Sequence, residues 1–114
     1  MTFHKLLIAN RGEITCRIIK TAHDMGISCV AVYTEADSNS PFVRMADEAV
    51  KLSDTYLNGK EIIDAAKQTG AQAIHPGYGF LSENAKFSRE VLKEGLIWVG
   101  PSSRVITSMG DKLK

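Results

Sequence analysis

Cysteine is scarce in this chain: Cys16 and Cys29 are the only two. Two are too few for a disulfide framework, and no Cys-x-x-Cys pair occurs. Both read as buried thiols of a reducing compartment, with neither a redox nor a metal role. Long apolar runs are missing too. Nothing approaches the ~20 residues that a membrane-spanning helix needs. The apolar stretch Leu6-Leu7-Ile8-Ala9 is too short for the core of a signal peptide, and no Arg- and Ser-rich amphipathic leader is present. The expected compartment is the cytoplasm, or the mitochondrial matrix if a transit peptide has been removed. Excess charge of either sign is absent as well. Fourteen basic and thirteen acidic side chains give a formal net charge of +1, so no nucleic acid and no membrane surface is expected as a partner. Internal repeats, low-complexity stretches and linkers are likewise absent.

What remains is the composition of one compact domain over 1–114. Apolar residues make up 44% of it and charged residues 24%, too apolar and too weakly charged for disorder. A chain of this size buries roughly two-thirds of its unfolded surface and needs no staple.

Short apolar runs alternate with amphipathic segments. Lys5 to Ala9 reads as a strand. Gly12 to Met25 reads as a helix whose buried stripe is Ile14, Ile18, Ala22 and Met25, broadened by Ile19 and stopped by Gly26. Ile27 to Tyr33 is a second strand, Phe42 to Asp47 a short helical turn, and Glu48 to Leu52 a weaker third strand. Asn58 predicts a helix N-cap, with Glu61 as its reciprocal partner; that helix stops at Gly70. Ala71 to Ile74 is a fourth strand. Ser82 predicts the cap of a helix running to about Glu94. Leu96 to Val99 is a fifth strand, and Gly100-Pro101-Ser102 opens one more helix. This order implies right-handed crossovers and a parallel sheet. The fold class is α/β, a Rossmann-like three-layer α/β/α unit with about five mostly parallel strands. The strands are apolar on both parities, as in a sheet covered on both faces.

Ligands of open parallel sheets bind outside the carboxyl ends of the strands. Three segments lie there: Asn10-Arg11-Gly12-Glu13, His75 to Asn84, and Gly100-Pro101-Ser102-Ser103. The first holds a single glycine, not the Gly-x-Gly-x-x-Gly of dinucleotide binders, and no Walker loop occurs anywhere. No Gly-x-Ser-x-Gly elbow points to a hydrolase. His4 and His23 read as surface residues, and His75 as a satisfied, partly buried strand-end residue. The histidines do not cluster, and no Glu or Cys partners His75 at metal-ligand spacing. Phe80, Phe87, Trp98 and Met109 read as core. The His75 to Asn84 segment is the most informative. Gly77 and Gly79 free the backbone on both sides of Tyr78. From the residues alone, this is either a glycine-rich turn with Glu83 complementing a helix dipole, or a ligand loop at a helix start.

The blocks Lys5-Leu-Leu-Ile-Ala-Asn-Arg-Gly-Glu-Ile14, Ala46-Asp47-Glu48-Ala49, His75-Pro-Gly-Tyr-Gly-Phe-Leu-Ser-Glu-Asn-Ala85, Val99-Gly-Pro101 and Met109-Gly-Asp-Lys112 resemble the N-terminal domain of biotin carboxylase. The likeness covers essentially the whole chain, in order. It implies the domain that precedes an ATP-grasp domain in biotin-dependent acyl-CoA, pyruvate and urea carboxylases. The family activity is ATP-dependent carboxylation of carrier-bound biotin by bicarbonate, through carboxyphosphate. The cofactors implied for the whole enzyme are ATP, Mg2+ and biotin, none of them held tightly by these 114 residues alone. The partners implied are a biotin carboxyl carrier protein or domain, a carboxyltransferase, the ATP-grasp remainder of the chain, and a second copy in a homodimer.

By the resemblance, Tyr78 and Gly79 line the biotin and bicarbonate pocket, with Glu83 beside it. Lys112 contacts the ATP phosphates, which suits a point-charge ammonium. No residue of the chain is assigned a catalytic role, and none a metal. His75 and Pro76 hold the loop's shape. Arg11 and Glu13 are ion-pair or positioning residues. Arg17 and Lys20 match a region that forms dimer contacts in bacterial members, or else a solvated helix face. The linker Ser53-Asp54-Thr55 is shorter than the Gly-Pro-rich stretch of many relatives. An alternative expectation is a stand-alone nucleotide-binding or assembly module of the same fold. The unpunctuated end at Lys112-Leu113-Lys114 reads as a boundary inside a longer protein, with a glycine-rich lid and metal-binding carboxylates expected beyond it.

Overall fold

The computed structural model describes residues 3–100. The expected last helix, Met109 and Lys112 lie outside the described residues. The elements are β1 (Lys5–Ile8), α1 (Gly12–Asp24), β2 (Ser28–Tyr33), α2 (Pro41–Met45), β3 (Glu48–Lys51), α3 (Gly59–Thr69), β4 (Ala73–His75), α4 (Ala85–Lys93) and β5 (Ile97–Trp98). Single 3-10 turns occupy Glu35–Asp37 and Phe80–Glu83. The sheet order is β3-β2-β1-β4-β5, and every pairing is parallel.

The two-residue period of the strands splits the core into two layers. Leu7, Val30, Val32 and Ile74 face α3 and α4, meeting Ile62, Ile63, Phe87 and Val91. Leu6, Ile8, Cys29, Ala31 and Ala73 face α1 and α2, meeting Ile19, Ala22 and Phe42. The three-layer α/β/α expectation holds, and the apolar-on-both-parities strands are the central ones. β3 is an edge strand and mostly exposed, in keeping with its weaker sequence signal.

Several local expectations are corrected. Met25 is 69% exposed, because α1 ends at Asp24 and the side chain falls beyond the packed face. The buried stripe of α1 is Thr15, Ile19 and Ala22. Ile14 and Ile18 are only half-buried and border an apolar groove of about 490 Å³ with Phe3, Met25, Ile27 and Val99. Asn58 does cap α3, its Oδ1 accepting the Glu61 N–H at 3.2 Å. Glu61 does not reciprocate, however. Its carboxylate accepts from the Ser53 N–H (3.1 Å) and hydroxyl (2.6 Å), pinning the short linker instead. α4 is capped by Asn84, whose Oδ1 accepts the Phe87 N–H at 2.9 Å, not by Ser82, which is buried in the preceding 3-10 turn. Cys16 is only half-buried. Phe87 is core and Trp98 packs edge-on against it, with ring centroids 5.7 Å apart, but Phe80 is 43% exposed.

Candidate functional site

The carboxyl edge of the sheet gathers the loops after β1, β2 and β4. The loops after β1 and β4 meet at Asn10, which is 2% exposed. Its Nδ2 donates to the carbonyls of Pro76 (2.8 Å) and Tyr78 (2.7 Å), and its Oδ1 accepts the Arg11 N–H (2.8 Å). One side chain thus staples the loop after β4 to the loop after β1. A buried amide with these bonds is well satisfied, and the carbonyls it caps would otherwise be costly orphans.

The stapled loop has unusual backbone. Gly77 (φ +66°) and Gly79 (φ +70°, ψ −167°) occupy conformations that favour glycine. Phe80 is also left-handed, at φ +47°, which costs on the order of 1–2 kcal/mol for a residue with a Cβ. Its ring leans on Tyr56, with centroids 5.4 Å apart at 53°. His75 closes the other end. Its Nδ1 accepts the Gly77 N–H at 3.0 Å, which leaves the neutral imidazole with its proton on Nε2. Burial lowers the His75 pKa and so favours the same neutral form. The expectation of a satisfied, half-buried strand-end histidine matches this geometry.

Behind the first loop stands a charged network. Arg11 makes a two-pronged pair with Asp37: Nε to Oδ2 and Nη2 to Oδ1, both 2.6 Å. Asp37 is 4% exposed. It also accepts the Tyr56 hydroxyl at 2.6 Å, and that oxygen accepts the Thr34 N–H at 3.2 Å. The Arg11 hydrogen bond, helped by Tyr56, holds Asp37 down to about 2. Burial pushes the Tyr56 phenol up, with Asp37 adding to it. Tyr56 therefore joins the buried carboxylate to the ring of Phe80, supporting the glycine loop from below.

The residues singled out in the sequence fall as follows. Tyr78 is 69% exposed and offers its ring and phenol outward, while its carbonyl is held inward by Asn10. Gly79 and Glu83 are exposed on the same segment. Arg11 is an ion-pair residue, as expected. Lys112 lies outside the described residues. Asn10 was placed only within the loop after the first strand, and the support roles of Asn10, Asp37 and Tyr56 were not anticipated. Their partners lie 19 to 68 residues away in the chain, so no local pattern announces them.

A family model for the N-terminal domain of biotin carboxylase matches residues 2–106. The chain belongs to the biotin carboxylase N-terminal domain family. It is 56% identical to the mitochondrial propionyl-CoA carboxylase alpha chain of Caenorhabditis elegans, over 97% of this chain and 16% of that protein. The biotin carboxylase domain dimer of Hydrogenobacter thermophilus 2-oxoglutarate carboxylase, solved with MgADP, ADP and bicarbonate, superposes with a TM-score of 0.90 at 48% identity. That match covers 94% of this chain and 24% of that one. Kluyveromyces lactis urea amidolyase matches with a TM-score of 0.92 at 53% identity, over 95% of this chain and 7% of that one. The chain thus spans under a quarter of each relative. Among the described residues, no helix is long and apolar enough to cross a membrane. In this biotin carboxylase N-terminal domain, the stapled Gly77-Tyr78-Gly79 loop is the exposed, preorganised feature of the carboxyl edge.

Proposed function

We propose that this chain forms one wall of the biotin and bicarbonate pocket of a larger ATP-dependent biotin carboxylase, a ligase. The observation that carries the reading is the Asn10 staple. It spends a buried amide on holding an exposed tyrosine between two left-handed glycines, which is support a plain surface turn does not need. The residues suit the ligands. A ureido ring presents a flat face and polar edges, and Tyr78 offers an aromatic face with a hydroxyl at its rim. Glu83 sits on the same segment, and Lys112 is assigned to the ATP phosphates.

In the complete enzyme, ATP and bicarbonate would give carboxyphosphate and ADP at the ATP-grasp domain, and transfer of the carboxyl group to N1 of carrier-bound biotin would release phosphate and the N1 proton. The part played by these 114 residues is to orient and enclose. They fix the Tyr78 loop, and through Arg11, Asp37 and Tyr56 they keep its base rigid. The partners are a biotin carboxyl carrier protein or domain, a carboxyltransferase and a second copy of the subunit. The Hydrogenobacter thermophilus relative is itself named as a dimer. The compartment is the cytoplasm or the mitochondrial matrix. The named relatives include carboxylases for propionyl-CoA and 2-oxoglutarate as well as urea amidolyase, so the final acceptor is chosen elsewhere.

Bicarbonate-dependent ADP release, measured with free biotin, tests this. The natural full-length protein should show it and the 114-residue chain should not. Turnover by the short chain would refute a site shared between domains. No turnover by the full-length protein would refute the carboxylase reading.

A further inference from the structure

The geometry points to a zinc-binding site built from His23, Cys29 and Asp47, at the edge of the sheet opposite the Tyr78 loop. The topology makes the site, since these residues form no sequence motif. β2 and β3 run parallel with Val30 beside Glu48, and the Asp47 N–H donates to the Cys29 carbonyl at 2.9 Å. Cys29 and Asp47 therefore stand side by side at the amino ends of two neighbouring strands. The last turn of α1 brings His23 above them, after which the chain reverses at Gly26 (φ +76°) into β2.

One ligand atom from each residue, the imidazole Nε2 or Nδ1, the thiol Sγ and a carboxylate oxygen, lies within 4.8 Å of the other two. His23 Nε2 is already 2.8 Å from Asp47 Oδ2. Asp47 Oδ2 also accepts the Cys29 N–H at 2.7 Å, which fixes the carboxylate against the strand. Zinc bonds of about 2.0–2.3 Å place tetrahedral ligands roughly 3–4 Å apart, so small side-chain shifts close three coordination positions. The side chains of His23 and Asp47 are 40% and 46% exposed, which leaves the fourth position to water.

The donor set selects the ion. One thiolate, one imidazole and one carboxylate suit zinc and fit poorly the all-oxygen preference of Mg2+ or Ca2+. On binding, the buried Cys29 thiol, whose pKa burial raises to about 11, gives up its proton to solvent, and the thiolate and carboxylate together neutralise the dication. The bound ion ties the end of α1 to β2 and to edge strand β3, so it acts on stability rather than on the pocket at the far edge.

Zinc titration of the reduced, chelator-treated 114-residue chain tests the site, with Co2+ as a spectroscopic probe. One Zn2+ per chain and a thiolate-to-Co2+ charge-transfer band are expected. The band should vanish in Cys29→Ser, affinity should fall about tenfold or more in His23→Gln, and Cys16→Ser should bind like the parent. Circular dichroism reports folding of each variant. Should Cys29→Ser fail to fold, His23→Gln decides, because that residue is exposed on a helix end. No stoichiometric binding, undiminished binding in His23→Gln, or loss of binding in Cys16→Ser would overturn the proposal.

Discussion

The side-chain amide of Asn10 fills the space that a Cβ on Gly77 would need. Such a Cβ would lie 2.5 Å from Nδ2 and 2.9 Å from Cγ of Asn10. Glycine at 77 is thus demanded twice, by its left-handed φ of +66° and by the amide beside it. Gly77→Ala should push Asn10 off the carbonyls of Pro76 and Tyr78. The strain of a left-handed alanine, ~1–2 kcal/mol, adds to the roughly 1–3 kcal/mol of an unsatisfied buried amide. Urea unfolding of the 114-residue chain should show a loss of about 2–5 kcal/mol. A loss below ~1 kcal/mol would mean that the staple is dispensable.

Gly79 provides the contrast. Nothing lies within 4 Å of a Cβ built there, yet its φ of +70° and ψ of −167° fall in a region nearly closed to other residues. Gly79→Ala should therefore cost only the backbone term, about 1–3 kcal/mol, and should leave the Asn10 contacts in place. Hydrogen exchange at the Arg11 amide, which Asn10 Oδ1 accepts, separates the two variants. Protection should fall more in Gly77→Ala than in Gly79→Ala.

The Arg11–Asp37 pair predicts an acid response. Asp37 has a folded pKa of about 2, below the roughly 3.9 of a free aspartate. A carboxyl whose pKa is depressed by folding stabilises above its unfolded pKa, and that stability is lost as pH falls through the folded one. The loss should run from about pH 5 down to pH 2 and amount to roughly 2 kcal/mol, trimmed because the Arg11 side chain is half-exposed. Asp37→Asn should remove this part of the pH dependence of unfolding. Tyr56→Phe should cost about 1.5–3 kcal/mol for its lost hydroxyl bond to the ionised carboxylate and shift the acid transition to higher pH. An Asp37→Asn variant with the parental acid slope would assign the slope to other groups.

The strand and helix alternation was legible because it rests on burial. Central strands such as Cys29-Val30-Ala31-Val32 must be apolar on both faces, and that pattern survives in one dimension. The α3 cap at Asn58 was legible for the same local reason. Failures came where two residues could do one job. Ser82 and Asn84 are both good caps, and the 3-10 turn that absorbs Ser82 is set by Gly79 and Phe80 rather than by the cap residue. Met25 fits the helical period but follows the last turn. The supports of the loop were hidden altogether. Asn10 meets Pro76 and Tyr78, and Arg11 meets Asp37, only because β1 lies between β2 and β4. Sheet order, not sequence spacing, makes those pairs. The same is true of His23, Cys29 and Asp47.

Tyr78 and Leu81 sit three residues apart and should part company on mutation. Leu81 is buried in the core beneath α3 and α4, so Leu81→Ala should destabilise the chain by about 2–4 kcal/mol. Tyr78 points outward, and only its carbonyl is tied to the fold. Backbone bonds survive truncation of the side chain, so Tyr78→Ala should change stability by no more than about 0.5 kcal/mol. In the full-length protein the order should reverse. Loss of the ring proposed to pack on the ligand, worth about 1.4 kcal/mol, should raise the biotin KM roughly tenfold. Leu81→Ala, assayed well below its Tm, should affect biotin far less. Tyr78→Phe should keep most of the affinity if the ring face carries the contact, and little if the hydroxyl does. Parallel loss of stability and turnover in Tyr78→Ala would return the loop to a purely structural role.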